Sequence, residues 1–531
     1  MTRQFLLIST VVFGVLGVTA WFWPPALWAL IALGPLFLLG LSDTLQRRRA
    51  VLRNFPVIGH FRYLFEMVRP EINQYFIESD TDGTPFNREV RSLAYQRAKG
   101  QMQTLPFGTQ RDVYATGYEW ISHSISAHPP REDEPRVVIG KDSCEKPYSA
   151  SLLNISAMSF GSLSNRAILA LNQGAKEGNF FHNTGEGSVT PYHLEPGGDL
   201  CWQIGTGYFG CRGPDGGFEE QAFAEVAAQD AVKLIEIKLS QGAKPGHGGI
   251  LPAAKITEEL AAIRGVPMGQ DVISPPAHTA FRDPRGLLRF VARLRELSGG
   301  KPVGFKLCVG VPSEFLALCM AMRETGLTPD FIAVDGGEGG TGAAPFEFTN
   351  TVGAPLTEGL VLVHNALVGF DLRRKIKVIA SGKVASGFTM ASRLAIGADL
   401  CNSARGFMFA LGCIQARRCN SNHCPVGVAT QNPGLIRGVD VGDKAVRVAR
   451  FHRQTVHSFL EMLGAAGIVD PTILGPWHIH RRVSEIEVKT YAEIFPWLER
   501  GALLKSPYPK SYSTWMQMAT PDAFSMYQPV S

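Results

Sequence analysis

Three cysteines, Cys413, Cys419 and Cys424, stand in the short stretch CIQARRCNSNHCPVG, whereas the other cysteines of this 531-residue chain are scattered. Thiols crowded in this way serve disulfides, a zinc site or an iron–sulfur cluster, and their spacing alone does not choose among the three. A second chemistry is suggested by ASGKVASGF and NSARGF, where Gly382 and Lys383, and then Arg405, stand among small residues. Small residues let backbone N–H groups approach phosphate oxygens, and a neighbouring cation neutralises their charge, so both segments suit a phosphorylated ligand. A third stretch, GGEGGTGA, puts Gly337, Gly339 and Gly342 in the G-x-G-x-x-G pattern behind the apolar run FIAVD. A dinucleotide site also needs a helix to open there. Pro345 and the turn-rich EFTNTVGAPL follow instead, which predicts a flexible loop whose backbone, at Gly339 and Gly340, approaches a ligand.

Such residues need elements to position them, and residues 151–410 have a regular pattern. Short apolar, often β-branched runs alternate with helical segments: SLLNISAM, FFHNTG, LCWQIG, LIEIKLS, DVISPP, PVGFKLCVG, FIAVDGG, IKVIASG and ADLCNSARG. One of them is expected to be an insertion, and the rest fit the eight strands of an α/β fold, the (β/α)8 TIM barrel; a doubly wound sheet is the alternative. Nearly every run ends in Gly, Ser, Lys or Asn, as strands do when their C-terminal ends share an active-site face. Barrels hold phosphate on the loops after the last two strands, where Lys383 and Arg405 stand.

With 45% apolar and 19% charged residues, the chain has room for one large domain and appendages. Its formal charge of +5 is small for this length, and no basic stripe interleaved with aromatics suggests nucleic acid as a partner. From Phe5 to Leu41 there is no charged residue. That run is long enough to cross a bilayer, Pro24-Pro25 breaks it, and Trp21, Trp23 and Trp28 flank the break. It reads as a transmembrane helical hairpin over residues 1–45. A cleaved signal peptide is the alternative, against which the apolar sequence continues past any plausible cleavage site. Arg3 precedes the hairpin and Arg47, Arg48, Arg49 and Arg53 follow it, so both flanks are expected in the cytoplasm, with the remaining chain at the cytoplasmic face of the inner membrane. That reducing compartment argues against disulfides among the clustered thiols. Residues 46–140 read as a lead-in region in which RNFPVIGHFRYLFEMVRPEINQYF has the apolar spacing of a helix. Residues 141–435 form the barrel with its thiol loop, and 436–531 a C-terminal helical extension whose RVARFHRQTVHSFLEMLGAAG is an amphipathic helix packed on the barrel.

In order along the chain, ISAMSFGSLS, HNTGEG, QGAKPGHGGILPAAK, ISPPAH, GFKLCVGVP, GGEGGTGAAP and CIQARRCNSNHCPVGVATQ resemble motifs of the FMN-binding synthase domain of glutamate synthases, over roughly residues 140–435. The resemblance implies FMN in the barrel and a [3Fe-4S] cluster on the C-x5-C-x4-C spacing of Cys413, Cys419 and Cys424. Three thiolates can each hold one iron, and Pro425 is similar to the Cys-Pro ending of ferredoxin-type sites. Zinc would need a fourth ligand, for which His423 is the near choice, and unligated core thiols are the plain alternative. The implied activity is that of an oxidoreductase acting on CH–NH2 donors. Reduced FMN gives a hydride to the imine of 2-oxoglutarate, forming glutamate or a related amino acid, with electrons arriving from a ferredoxin or reductase subunit through the cluster. For the substrate the resemblance points to Lys238, Lys244 and Arg264, and for catalysis to Glu186, Lys244 and Lys306. Beside the flavin it points to Ala157, Met158, Gln203 and Lys306, joined by Gly339, Gly340, Gly382, Lys383 and Arg405. Each lysine has a plainer reading as a solvated ion pair.

The chain departs from that family at two positions. His247 stands where an acid is usual and Ile250 where a glutamine is, which takes a hydrogen bond from the pocket if that glutamine meets the oxoacid. The chain opens Met1-Thr2-Arg3 rather than with the nucleophilic cysteine of a glutaminase, so ammonia is not expected from glutamine by that route. Two other readings stand beside amino-acid synthesis. One is a membrane-tethered flavin and iron–sulfur electron-transfer subunit without amino-acid synthesis. The other is a nucleotide-binding barrel like inosine-monophosphate dehydrogenase, against which the thiol cluster argues.

Overall fold

Eight of the nine apolar runs pair side by side, all parallel, and close into a barrel. In chain order they are β1 (Leu153–Ile155), β2 (His182–Asn183), β3 (Leu200–Ile204), β4 (Val232–Lys238), β5 (Val303–Leu307), β6 (Phe331–Asp335), β7 (Lys377–Ser381) and β8 (Leu400–Ser403). Each strand pairs with its chain neighbours, and β8 returns to β1 with Cys401 opposite Leu153, which leaves no edge. DVISPP is the insertion: Val272–Ile273 pairs antiparallel with Ile250–Leu251 outside the barrel. Pro275 and Pro276 end that run, and proline cannot donate to a longer ladder. The computed structural model describes residues 1–524. The chain divides into two compact units, Met1–Arg88 and Glu89–Ser531.

Helices Asn165–Gly178, Pro284–Leu297 and Gly387–Ala395 follow β1, β4 and β7, and their starts are legible in the sequence. Ser164, Asp283 and Ser386 accept the backbone N–H of Ala167, Gly286 and Thr389, which satisfies donors that a helix start leaves unpaired. The amphipathic helix Val441–Ala465 buries Val448, Phe451 and Phe459. It lies close against Asn165–Gly178, where a Cβ on Gly174 would stand 2.5 Å from Val448. The GGEGGTGA loop is followed by a helix after all, Phe346–Thr351. Pro345 stands at its start, where a missing N–H costs nothing, and three residues separate the helix from Gly342.

Side chains alternate across each strand, so one set from every strand points inward. Leu234 of β4, Phe331 and Ala333 of β6, Ile379 of β7 and Leu400 of β8 form one buried cluster with Phe181 and Cys201. Ile139, Tyr148 and Ala150 complete it; they come from the antiparallel pair Val137–Ile139 and Tyr148–Ala150, which plugs the end of the barrel where the strands begin. Further along the same strands the residues become charged: Glu236 and Lys238 on β4, Lys306 on β5, Asp335 on β6. The plug supplies stability and the opposite mouth is left for chemistry.

In the first unit, Thr2–Phe22 and Pro24–Leu45 are long and apolar enough to cross a membrane by length and composition, with mean hydropathy 2.2 and 1.9. A 3-10 turn, Pro24–Ala29, reverses the chain between them. Phe37 meets Phe13 edge-on while Gly40, further along, lies against Phe5, so the two helices run antiparallel. Helix Gly59–Ile72 follows.

Ile139→Ala removes a fully buried side chain from the plug. It should lower stability by about 2–5 kcal/mol, read as an earlier urea midpoint, without changing the charged mouth. An unchanged midpoint would show that the plug is not part of the core.

Candidate active site

Glu186 lies just beyond β2, in the turn Gly185–Gly187, and the structure gathers three cations around it. Lys238, the last residue of β4, puts Nζ 2.7 Å from Glu186 Oε1 and 3.0 Å from Gln241 Oε1. Lys244 donates from Nζ to the carbonyl of Ala343 at 3.0 Å. Arg264, at the end of helix Glu258–Arg264, donates from Nη2 to the carbonyl of Phe160 at 2.8 Å and holds its guanidinium over the Phe209 ring. Its Nε is buried without a hydrogen-bond partner. Burial alone would raise the Glu186 carboxyl, but Lys238, Lys244 and Arg264 outweigh it and hold the group below the usual carboxylate range. Burial, with the Lys238 charge beside it, brings Lys244 down to about 8, and burial brings Arg264 down to about 10. Glycines make the room. A Cβ at Gly205 or Gly249 would stand 2.5 Å from a Glu186 oxygen, and one at Gly187 would stand 2.6 Å from Arg264 Nη2.

Below this group lies a layer that the sequence reading reached only in part. Gln203 of β3 is fully buried and donates from Nε2 to Glu236 Oε1 at 2.6 Å, and Asn183 of β2 donates to the same oxygen at 2.9 Å. Lys306 is 3.3 Å from Asp335 Oδ2, whose carboxylate also accepts the N–H of Gly242. Burial opposes the Lys306 charge, but Asp335 and Glu236 raise it above the ordinary lysine value, so its charge is matched before any ligand arrives. Glu236, Asp335, Asn183 and Gln241 were not anticipated. Glu236 and Lys238 stand two apart in the otherwise apolar LIEIK, so both point into the barrel, and that inward acid was the available signal.

The ends of β7 and β8 carry the second group. Lys383 follows β7 in a left-handed backbone conformation (φ 50°) that favours glycine. Burial and the charge of Arg405 both lower its pKa. Arg405 is lowered by burial against the pull of Asp335 and Glu338, and donates from Nη2 to the carbonyl of Glu338 at 2.8 Å. Gly340 lies against this guanidinium, where a Cβ would stand 2.8 Å from Nε, and its carbonyl accepts from Gln241 Nε2. Gly339 donates to the carbonyl of Gly336, and a Cβ on Gly382 would meet Leu356 at 3.1 Å. Met158 donates its N–H to the carbonyl of Asn183 at 2.9 Å, with half-buried Ala157 before it. His247 is half-buried, turns Nδ1 to the carbonyl of Gly248 at 2.9 Å and meets Phe348 edge-on.

All nine cysteines are unpaired. Burial pushes the Cys413 thiol up to about 12 and also raises Cys419, and the three clustered thiols act electrostatically on one another. Lys255 stands in range of Cys419 and Cys424 and donates to the carbonyl of Ser162 at 2.7 Å. Asn422 fixes the loop: it donates to the Ala254 carbonyl and its side-chain oxygen accepts from Gln431 N and Thr430 Oγ1. His423 is exposed and faces the carbonyl of Ser421, whereas Cys424 is buried. Among the described residues no three His, Cys, Asp or Glu side chains are arranged to hold a single metal ion. Residues 160–163 join the two regions, since Phe160 receives Arg264 and Ser162 receives Lys255.

The family model described as the conserved region in glutamate synthase matches residues 115–469. The glutamate synthase large subunit-like protein YerD of Bacillus subtilis is 37% identical over 482 residues, covering 83% of this chain and 91% of that protein. The archaeal NADPH glutamate synthase of Methanocaldococcus jannaschii is 36% identical over 316 residues, and the match spans only 58% of its length. Ferredoxin-dependent glutamate synthase 2 of Synechocystis is 32% identical over 54% of this chain, and only 18% of that protein is spanned. Among solved structures, a mutant flavocytochrome b2 with benzoylformate superposes with a TM-score of 0.42 and 12% identity, over 88% of this chain and 95% of that one. With more than half of its residues inside the conserved region, the chain belongs to the glutamate synthase family.

Proposed function

We propose that the chain is a glutamate synthase-type oxidoreductase that reduces the imine of 2-oxoglutarate, or of a closely similar oxoacid, to an amino acid. The observation that carries this reading is the surplus of charge around Glu186: three buried cations face one carboxylate. A dicarboxylate substrate needs two or more fixed cations, and here Lys244 and Arg264 are the ones not paired directly to Glu186. Lys238, bonded to Glu186 and Gln241, holds the carboxylate in place. Glu186 remains ionised and accepts a hydrogen bond from Lys238 at Oε1, and its second oxygen suits it to order an ammonia- or amine-derived N–H at the reacting carbon. Lys244, at about 8, takes both protonation states near neutral pH and can hold or release a proton at Nζ.

The mouth of the barrel fits FMN. Burial and the like charge of Arg405 lower the Lys383 pKa, a juxtaposition that a phosphate would relieve, and Gly339, Gly340 and Gly382 let backbone come close. Ala157, Met158, Gln203 and Lys306 would hold the ring, and FMN would supply the hydride when bound. Gln203, fixed by Glu236, can position a ring edge, and Lys306 places a matched cation beneath it. Cys413, Cys419 and Cys424 suit a [3Fe-4S] cluster by residue type and spacing, on a loop pinned by Asn422 with the Lys255 cation in range of Cys419 and Cys424. The cluster would pass electrons one at a time from a ferredoxin or reductase partner. The apolar hairpin would anchor the chain in the cytoplasmic membrane with the barrel on the cytoplasmic side.

Purified without oxygen, the chain should carry FMN and about three irons, measured by absorbance and metal analysis. Zinc without iron would sink the cluster assignment, and a reduced flavin that ignores 2-oxoglutarate with ammonia or methylamine would leave an electron-transfer subunit instead.

The oxoacid site has a pH signature. Lys244 has a depressed pKa, so its charge is present below about 8 and is lost as pH rises through it. The half-saturating concentration of 2-oxoglutarate should therefore rise above that pH, and Lys244→Arg should flatten the rise. Arg264→Gln should raise the half-saturating concentration about tenfold or more, since a charge-assisted contact is worth roughly 1.5–3 kcal/mol. Curves that coincide for wild type and both variants would remove these residues from the substrate site.

A further inference from the structure

We infer that the segment Ile58–Ile77 lies flat on an anionic lipid surface, with its apolar face in the headgroup layer; this rests on the reading of the hairpin as membrane-spanning. Helix Gly59–Ile72 continues into a wide turn, Asn73–Ile77. At 3.6 residues per turn, Ile58, Phe61, Phe65 and Ile72 fall on one face, and Phe76 extends it. These side chains have no cover: Ile58 is 56%, Phe61 57%, Phe65 62% and Phe76 84% exposed. A face of large apolar groups left in water is costly, at about 25 cal/mol per Å2, so something covers it.

Two observations select the occupant. The first is placement. Asp43, buried at the end of the second apolar helix, bonds His60 Nε2 at 3.0 Å and the N–H of Val57 at 2.9 Å. Thr2, at the start of the first apolar helix, donates to the carbonyl of Arg53. Both ends of the hairpin are thus fastened to residues 53–60, which lead into the amphipathic helix, at the level where a spanning hairpin leaves the hydrocarbon. The second is charge. Residues 46–77 carry six arginines against two glutamates, and Arg47, Arg48, Arg49, Arg53, Arg62 and Arg69 are all exposed. Arg62 and Arg69 border the apolar face, the arrangement of a helix that lies in an interface rather than across it.

The test uses the full chain in nanodiscs of phosphatidylcholine alone and of phosphatidylcholine with about a quarter phosphatidylglycerol, probed by hydroxyl-radical footprinting. Phe346, exposed on the barrel unit, is the reference. On the anionic discs Phe61, Phe65 and Phe76 should be oxidised at least about fivefold more slowly than Phe346, less so on neutral discs, with the difference shrinking in high salt. Phe61→Glu combined with Phe65→Glu should expose Phe76 again while Leu7, Ile31 and Leu38 of the hairpin stay shielded. Oxidation of Phe61, Phe65 and Phe76 at the reference rate, with the hairpin shielded, overturns this inference and leaves the hairpin reading standing. Oxidation of the hairpin as well overturns both. Protection without lipid that grows with protein concentration assigns the face to a second copy of the chain and also overturns it.

Discussion

One carboxylate held among three buried cations is the interaction on which the architecture of this chain depends. Taking an ion out of water costs several kcal/mol even after relaxation, and an unmatched ion costs most. Glu186 matches Lys238 directly, and the carbonyls of Phe160 and Ala343 take hydrogen bonds from Arg264 and Lys244. The remainder is met by lowered pKa values, which weaken the hold of Lys244 and Arg264 on their protons. A pocket in that state is tuned for an incoming anion, because the anion supplies what the protein leaves short. Only a rigid frame can keep like charges this near, which is why Lys238 stands at a strand end, Arg264 at a helix end and Glu186 on a short turn lined by glycine.

The barrel provides that frame by dividing its length into two layers. Apolar residues of β4, β6, β7 and β8 pack on the Val137–Ala150 plug, and further along, β4 and β6 turn ionic. The layers alternate in sign as well: Glu236 and Asp335 lie around Lys306, and above them Lys238 meets Glu186. Each ion is thereby flanked by its opposite, which makes the polar layer firm despite its burial.

Much of the fold was legible in the sequence because strand runs and helix caps are local signals. Ser164, Asp283 and Ser386 announce their helices, whereas the sequence reading expects one odd run without naming it, although the prolines of DVISPP were the available signal. The site was legible differently. Glu186, Lys238, Lys244 and Arg264 come from three stretches with no shared period, so motifs rather than spacing brought them together. Glu236 escaped because an acid inside an apolar strand looks like an outward-facing residue until the barrel closes around it. Pro345 misled in the opposite direction, since a proline that ends one helix can begin another. The spacing of Ile58, Phe61 and Phe65 showed a helix but could not show that its apolar face stays open.

The plug at the strand-start end has a consequence for traffic. Ile139 and Tyr148 seal that end, so the interior is a cup rather than a tunnel, and small molecules enter and leave by one rim. Under the proposed function electrons would need no opening, only a short path through packed atoms, and residues 160–163 meet both Lys255 beside the thiol loop and Arg264. Reducing power and carbon skeletons would then reach the same place from different sides. A redox partner docked at the thiol loop would leave the rim clear, and the chain could be recharged while substrate is still inside.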